Sequence, residues 1–598
     1  MSTAILTGPP VAGSPLEGDL RALGFDVRHA DGPDATADVL ATVPAHERVA
    51  LVDPRFVGHV HALRLALTDP RFPAAAVTGA LTAQPEARPA LARAAASVPA
   101  GPGSAAYTDV LPDTLADALE AEGGAPHRVE LGTLVAAVPT TPAERERAQE
   151  AVAAVDEEAV RLRTAVKSRD GFFTTFFISP YSRYLARWCA RRGLTPNQVT
   201  TASLLTALIA AGCAATGSRG GFVAAGVLLL LSFVLDCTDG QLARYSLQYS
   251  TLGAWLDATF DRAKEYAYYA GLALGAARGG DDVWALALGA MVLQTCRHVV
   301  DFAFNEANHD ATANTSPTAA LSGRLDSVGW TVWVRRMIVL PIGERWAMIA
   351  VLTALTTPRV VFCALLIGCA LAACYTTAGR VLRSVTRRAR RTDRAARALA
   401  DLADSGPAAE LVAEGPAARG TMTAPLMAFA GLAFLMVQLF WRPTPGTWWP
   451  VLGAAVYALF AGVAVARPLK GPLDWLVPPL FRVAEYVTIL VLAARSEVPG
   501  ALPAAFGLVA AVAYHHYDTV YRIRGGSGAP PRWLVRATGG HEGRTLVVAV
   551  LAALLHSTDF TIALTVLAGA LALLVLIESI RFWVSSGAPA VHDEGEPA

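Results

Sequence analysis

What most constrains this chain is a succession of long apolar runs. From about residue 199 onward, stretches nearly free of charge follow one another. Each is about 15–25 residues long, and about 20 are needed for an α-helix to cross a roughly 30 Å hydrocarbon core. They fall into two sets of six. The first set lies near 199–216, 221–238, 253–276, 283–303, 346–357 and 359–378, the fifth being short. The second lies near 422–441, 447–466, 474–494, 499–520, 544–557 and 560–583. A soluble core has no use for twelve such segments in a row. The expected fold class is a polytopic α-helical membrane protein with about twelve spans. The mean hydropathy of +0.39 agrees.

Residues 1–140 differ. Short apolar runs at Ala4–Thr7, Val49–Val52 and Ala74–Val77 alternate with amphipathic, Ala-rich stretches, the pattern of an α/β domain. No basic start with an apolar core and a small-residue cleavage site precedes it, so no signal peptide is read and this domain is expected in the cytoplasm. A charged helical linker follows over 141–170. The remaining expected divisions are a membrane domain at 171–380, an Arg-rich cytoplasmic linker at 381–420, a second membrane domain at 421–585 and a polar tail at 586–598.

Charge tests the topology. Connections expected on the cytoplasmic side carry Arg187, Arg191, Arg192, Arg244, Arg324, Arg335, Arg336, Arg345, the Arg380–Arg397 cluster, Arg467, Lys470, Arg522, Arg524, Arg532 and Arg536. The opposite loops carry only Arg219, Arg278, Arg359 and Arg495. This bias leads us to expect both termini on the cytoplasmic side of a cell membrane. Fifty basic residues balance fifty acidic ones, so nothing points to a nucleic-acid partner. The seven cysteines form no CxxC pair and read as reduced, small core residues.

The chemistry concentrates at 236–265. Positions three and four apart share a helix face. Asp236, Asp239, Gly240, Ala243 and Arg244 therefore form one stripe, and Gly253, Asp257, Asp261 and Glu265 another. Two neighbouring helices can aim four aspartates at one point near the membrane boundary. Carboxylates so gathered need a positive counterpart, because each costs about 2.5–3.5 kcal/mol at a helix centre. Hard oxygen donors without a His or Cys cluster point to Mg²⁺, Mn²⁺ or Ca²⁺ rather than zinc, with room for two ions. Such a site suits displacement at phosphorus. The small residues let a ligand approach the backbone, and Arg244 offers a planar fork to a phosphate.

The string from Asp236 to Asp261, DCTDGQLARYSLQYSTLGAWLDATFD, resembles the CDP-alcohol phosphatidyltransferase signature D-x-x-D-G-x-x-A-R-x8-G-x3-D-x3-D at every fixed position. The resemblance covers roughly residues 165–380 and implies a six-helix membrane transferase. It implies that Asp236, Asp239, Asp257 and Asp261 hold two Mg²⁺ or Mn²⁺ ions, with Asp261 also the general base and Asp257 a catalytic partner. Gly240, Ala243, Arg244 and Gly253 would line the CDP pocket with Asp236 and Asp239. The Leu194–Thr200 segment resembles the family's approach to its first span and would add Pro196, Asn197 and Thr200. The implied reaction moves a substituted phosphate from a CDP-alcohol, usually CDP-diacylglycerol, to a second alcohol and releases CMP. A homodimer is also implied.

Lys167, Asp170-Gly171, Gly253–Asp257, Asp261-Arg262 and Pro341–Arg345 look like the branch that uses inositol phosphate. That branch includes di-inositol-phosphate-phosphate synthases, some fused to an N-terminal cytidylyltransferase. The stretch Leu6–Ser14 departs from that enzyme, lacking its glycine-rich loop with the following Arg and Lys. Residues 1–140 are therefore read as a degenerate nucleotidyltransferase-like domain. An acceptor phosphate would need cations, and Arg297, Arg336 and Arg345 are the candidates.

Other strings carry less. The Asp236–Gly240 stretch fails EF-hand spacing at Gln241 and Leu247, and Thr545 stands where a zinc motif starting at His541 needs its second His. The second set of spans lacks the aspartate signature and is not read as another transferase copy. Its polar residues, including Asp474, Arg482, Glu485, Tyr486, His515, His516, Asp518, His541, Glu542 and Arg544, read foremost as an ion-pair network and next as a headgroup site. Rival readings of the whole are a cation transporter and a silent membrane scaffold.

Overall fold

The computed structural model describes residues 2–97, 110–167, 170–311, 333, 337–386, 389–415, 420, 422–442, 446–555 and 557–585. Arg324, Arg335, Arg336, Arg387, Arg388 and the 586–598 tail, all named above, lie outside these. The chain divides into two compact units, one of Met1–Ser168, Tyr181–Pro196 and Thr238–Tyr249, the other of Arg169–Pro180, Asn197–Cys237 and Ser250–Ala598.

The first unit is built on a six-stranded sheet. Its strands are β1 (Ser2–Leu6), β2 (Phe25–His29), β3 (Arg48–Val52), β5 (Ala74–Val77), β6 (Ala80–Ala83) and β7 (His127–Arg128), in the order β2-β1-β3-β6-β5-β7. A separate antiparallel pair joins β4 (Val57–Gly58) to β8 (Ala136–Ala137). Strand β1 runs parallel to β2 and β3, whereas β6 pairs antiparallel with β3 and β5. The three apolar runs read from the sequence are β1, β3 and β5. They are buried along nearly their whole length, as strands covered by helices on both faces must be.

This unit also grips the last turns of the Arg219–Ser246 helix. Arg64 Nη2 donates to the Ser246 carbonyl at 3.2 Å and Arg161 Nε to the Tyr245 carbonyl at 3.0 Å. Those carbonyls are the orphan acceptors of a helix C-terminus, and arginines are suited to them. Arg161 also lies over the Tyr245 ring at 3.7 Å, while the Tyr245 hydroxyl donates to Glu158 at 3.0 Å. Over the linker the structure has two capped helices, Pro142–Ala153 and Glu157–Thr164, and the second buries Val160 and Leu162.

The second unit is helical. Among the described residues, six helices, counting one that ends in the first unit, are long and apolar enough to cross a membrane: Pro196–Ala215, Arg219–Ser246, Pro358–Thr386, Thr423–Trp441, Asp474–Arg495 and Thr558–Ser585. They expose Ile209, Val227, Leu371, Val566 and Leu573, side chains suited to lipid. The other six expected spans are helices too, but fall short for two physical reasons. Thr251–Arg278, Trp284–Asn308 and Ala501–Arg524 are long but carry charges, such as Asp257, Lys264, Arg297 and Asp518. Ile342–Leu355, Trp449–Val465 and Gly540–Leu554 are short, at 14, 17 and 15 residues. A 14-residue helix reaches only about 21 Å.

Close crossings position the site. A Cβ at Gly271 or Gly275 would land on the carbonyl oxygen of Ala211 or Ala214, and one at Gly226 on that of Ala350. Glycine here lets the Thr251–Arg278 helix lie against Pro196–Ala215, and Arg219–Ser246 against Ile342–Leu355. Within 381–420, the Asp393–Ala403 helix buries Leu399 and Leu402 against the Trp284–Asn308 and Val477–Arg495 helices.

Candidate active site

Three aspartates converge in the second unit. Asp236 comes from the Arg219–Ser246 helix, and Asp257 and Asp261 come from consecutive turns of Thr251–Arg278. One oxygen from each lies within 4.8 Å of the others. Ser250 caps the second helix, its Oγ accepting from the Gly253 amide at 3.0 Å. The helix thus starts at a defined point, and the i, i+4 spacing of Asp257 and Asp261 follows from its period. Asp239 lies one turn beyond Asp236 on the first helix and is buried. Among the described residues, the carboxylates close enough to share one ion are Asp236, Asp257 and Asp261.

Lys264, which the sequence reading did not single out, completes this group. Its Nζ pairs with Asp236, lies 2.8 Å from Asp261 and donates to Ser203 Oγ at 3.2 Å. The lysine is 0% exposed and its ammonium sits 5.6 Å from the centre of the Trp346 ring. An ammonium buried this way needs its carboxylates. The available signal was its position three residues after Asp261, one turn along the same face. Three carboxylates and one ammonium leave two formal negative charges. Oxygen donors with that residual charge fit a divalent cation such as Mg²⁺ or Mn²⁺.

The remaining candidates fall into distinct places. Asn197 stands beside Gly253, where a Cβ would strike its Oδ1. Thr200 is buried on the Pro196–Ala215 helix, which Pro196 begins. Gly240 leaves space for the Arg244 guanidinium, which would lie 3.5 Å from an added Cβ. Arg244 Nε donates to the Ala165 carbonyl at 2.6 Å. Ala243 lies between them on the same helix.

Glu265, the last acid of the stripe, belongs to a different set of contacts. It accepts from Arg262 at 2.9 Å, from Tyr269 at 2.7 Å, and from Arg345, whose Nε lies 3.2 Å away. Arg345 is 2% exposed and pairs with this glutamate. Arg297 is also buried and donates to the Val339 carbonyl. Arg336 lies outside the described residues. The polar residues of the second set are buried as an ion-pair network joining Asp404, Arg482, Glu485, His515, His516 and Arg544.

Parts of the chain are similar to known proteins. Residues 193–372 match the CDP-alcohol phosphatidyltransferase family, and residues 393–598 match a family of unknown function, DUF5941. The chain is 35% identical over 130 residues to a phosphatidylinositol phosphate synthase of Streptomyces avermitilis, covering 21% of this chain and 51% of that protein. It is 28% identical over 204 residues to a bifunctional IPC transferase and DIPP synthase of Aquifex aeolicus, covering 33% and 45%. An archaetidylinositol phosphate synthase of Pyrococcus horikoshii is 30% identical over 113 residues, covering 19% and 58%. The chain thus spans about half the length of the curated relatives it matches. Within this membrane-embedded chain, the segment that carries the three converging aspartates is the one that matches the CDP-alcohol phosphatidyltransferase family.

Proposed function

We propose that the chain transfers a substituted phosphate from a CDP-alcohol, with CDP-diacylglycerol the leading donor, to a polar second alcohol, and releases CMP. The observation that carries this reading is the meeting of Asp236, Asp257 and Asp261 from two helices that bear the complete family signature. The matched relatives named for inositol phosphate lipids make an inositol phosphate the leading acceptor.

In this reading Asp236, Asp239, Asp257 and Asp261 would hold two Mg²⁺ or Mn²⁺ ions. When bound, these would neutralise phosphate oxygens and the leaving group. Asp261 takes the proton of the acceptor hydroxyl as that oxygen bonds to the phosphorus bearing the donor alcohol. The bond from this phosphorus to the bridging oxygen breaks, and CMP departs. Lys264 holds Asp236 and Asp261 together across two helices. Gly240, Ala243, Arg244, Gly253, Pro196, Asn197 and Thr200 line the nucleotide side. Arg297, Arg336 and Arg345 are the cations proposed for an acceptor phosphate. The domains are those given by the sequence divisions, with the α/β domain a non-catalytic module. The protein sits in the cell membrane with both termini and the site on the cytoplasmic side.

The test offers purified full-length protein labelled CDP-diacylglycerol, Mg²⁺ or Mn²⁺, and a panel of acceptors that includes inositol phosphate, glycerol phosphate and serine. Metal-dependent CMP release with a product of the combined mass is expected. No CMP with any acceptor would sink the proposal and favour a transporter or a scaffold.

A further inference from the structure

The DUF5941 half lacks the aspartates, yet it repeats the framework that surrounds them. Aligned without gaps, Trp255–Tyr266 and Trp475–Tyr486 share Trp-Leu, then Arg, Glu and Tyr at the same spacing. Trp255, Leu256, Arg262, Glu265 and Tyr266 correspond to Trp475, Leu476, Arg482, Glu485 and Tyr486. The residues that differ include those of the metal group: Val477, Phe481 and Ala484 replace Asp257, Asp261 and Lys264. On the preceding helix, Ala458, Ala461 and Gly462 stand in the order and spacing of Asp236, Asp239 and Gly240.

The side-chain geometry repeats with the sequence. Arg262 Nη1 donates to Glu265 Oε2 at 2.9 Å, and Arg482 Nη1 to Glu485 Oε2 at 3.0 Å. Each glutamate also takes an arginine from the short fifth helix of its own half. Arg345 reaches Glu265 through Nε at 3.2 Å and Nη2 at 3.3 Å, and Arg544 reaches Glu485 through Nε at 2.5 Å and Nη2 at 3.3 Å. Both fifth helices are short, at 14 and 15 residues, and both sixth helices long, at 29 and 28. A glutamate beside each of these arginines accepts backbone amides from the segment before the first span: Glu344 from Phe173, Glu542 from Gly406 and Ala409. The spacing there departs by one residue, Glu344-Arg345 against Glu542-Gly543-Arg544.

The two halves also meet reciprocally. The fourth helix of the transferase half, Trp284–Asn308, packs on the third helix of the other half, Val477–Arg495. The third helix of the transferase half, Thr251–Arg278, packs on the fourth of the other, Ala501–Arg524. Trp255 stacks on Trp583 of the opposite sixth helix at 6.2 Å, and its counterpart Trp475 donates to Ser384 of the other sixth helix at 2.9 Å. Exchange of equivalent elements across one interface is the mark of two-fold association. Here it joins two parts of one chain.

We propose that the C-terminal membrane half is a diverged internal duplicate of the transferase half that has lost its metal-binding carboxylates and serves as a built-in partner subunit. It covers the face of the third and fourth transferase helices and supports the catalytic helix. Its Tyr517 bonds to His298 and lies under the Arg262 guanidinium at 5.2 Å, one residue from Asp261. One chain then carries one transferase site and its own support. Natural loss of Asp, Asp and Lys together is what charge balance requires, since an ammonium left without its carboxylates would be buried unpaired.

The test uses the full-length protein in detergent and two measurements that do not depend on turnover. Native mass spectrometry is expected to give particles of one chain. Particles of two chains would overturn the proposal, because the face of the Trp284–Asn308 helix is filled from within. Second, a Trp255→Cys, Trp583→Cys protein treated with a short bis-maleimide is expected to cross-link within a single chain. Cross-linking between chains, or none beyond the wild-type cysteine background, would overturn it. If the double variant does not fold, the particle mass of the unaltered chain still decides. Failure of the proposed transferase reaction would leave both readouts unchanged, so the two readings fail separately.

Discussion

Lys264→Met is the most telling single perturbation. It keeps the length of the side chain and removes the charge that ties Asp236 to Asp261. At an effective dielectric near 20, an ammonium 2.8 Å from a carboxylate contributes a gross attraction of about 6 kcal/mol. Desolvation of the fully buried lysine offsets much of it. Removing one partner of such a pair still costs about 3–5 kcal/mol, because the remaining charges stay buried without compensation. The aspartates keep side-chain exposures of 15% and 16%, so the lower end, about 3 kcal/mol, is expected. The carboxylate group would then carry three formal negative charges instead of two. Divalent cations should bind at least about tenfold tighter, worth about 1.4 kcal/mol. The assay is thermal unfolding in detergent with and without Mn²⁺, beside a direct Mn²⁺ titration. The variant should melt earlier than wild type without the ion, and the ion should raise its melting point by more than it raises that of wild type. An unchanged melting point without Mn²⁺, or weaker Mn²⁺ binding, would refute the electrostatic account of the site.

Three further outcomes follow from the same geometry. Asp261→Asn should lower CMP release by about 10²–10⁴-fold, the usual worth of a general base, while CDP-alcohol binding measured at equilibrium is largely kept; near-normal turnover would reassign the base. Gly275→Leu drives a side chain into the Ala214 carbonyl and should cost about 1–3 kcal/mol, whereas Gly212→Ala meets nothing within 4 Å and should be neutral or better in the same melt. In the α/β domain, burial, followed by Arg161 and Arg64, pushes the His61 pKa down to about 4. The unfolded chain takes up this proton near pH 6.5 and the folded one only near 4. Domain stability should therefore fall, by about 3 kcal/mol in all, as pH drops through that window. Hydrogen exchange of β3 amides at pH 7 and pH 4.5 reads the change, and His61→Leu should flatten it.

Much of the site was legible because helical spacing and charge act locally. The i, i+3 and i, i+4 placement of Asp236 with Asp239 and of Asp257 with Asp261 needs only a helix period to put each pair on one face; the structure brings Asp236, Asp257 and Asp261 within 4.8 Å of one another. Lys264 was legible in position but not in purpose. Whether a lysine points at lipid, water or a carboxylate depends on what faces it, and Asp236 arrives from 28 residues away. Arg345 shows the converse. Its charge near a membrane end suggested a phosphate partner, yet Glu265 of another helix holds it. Some of the expected spans miss the apolar composition of a membrane crossing for a related reason: apolar runs reveal helices that face lipid, but Thr251–Arg278 and Ala501–Arg524 bury charges against neighbours that only folding supplies.

Read alone, the residues determined the class of protein and the location of its chemistry. Long uncharged runs leave a chain few places to go but a bilayer, and a fixed pattern of aspartates on two helices specifies which turns meet. The tertiary structure decided the partners: which cation stands among the aspartates and which arginines are already engaged. Those outcomes rest on contacts between helices far apart in the chain, whose strength depends on burial and distance, and neither is set by spacing along one segment.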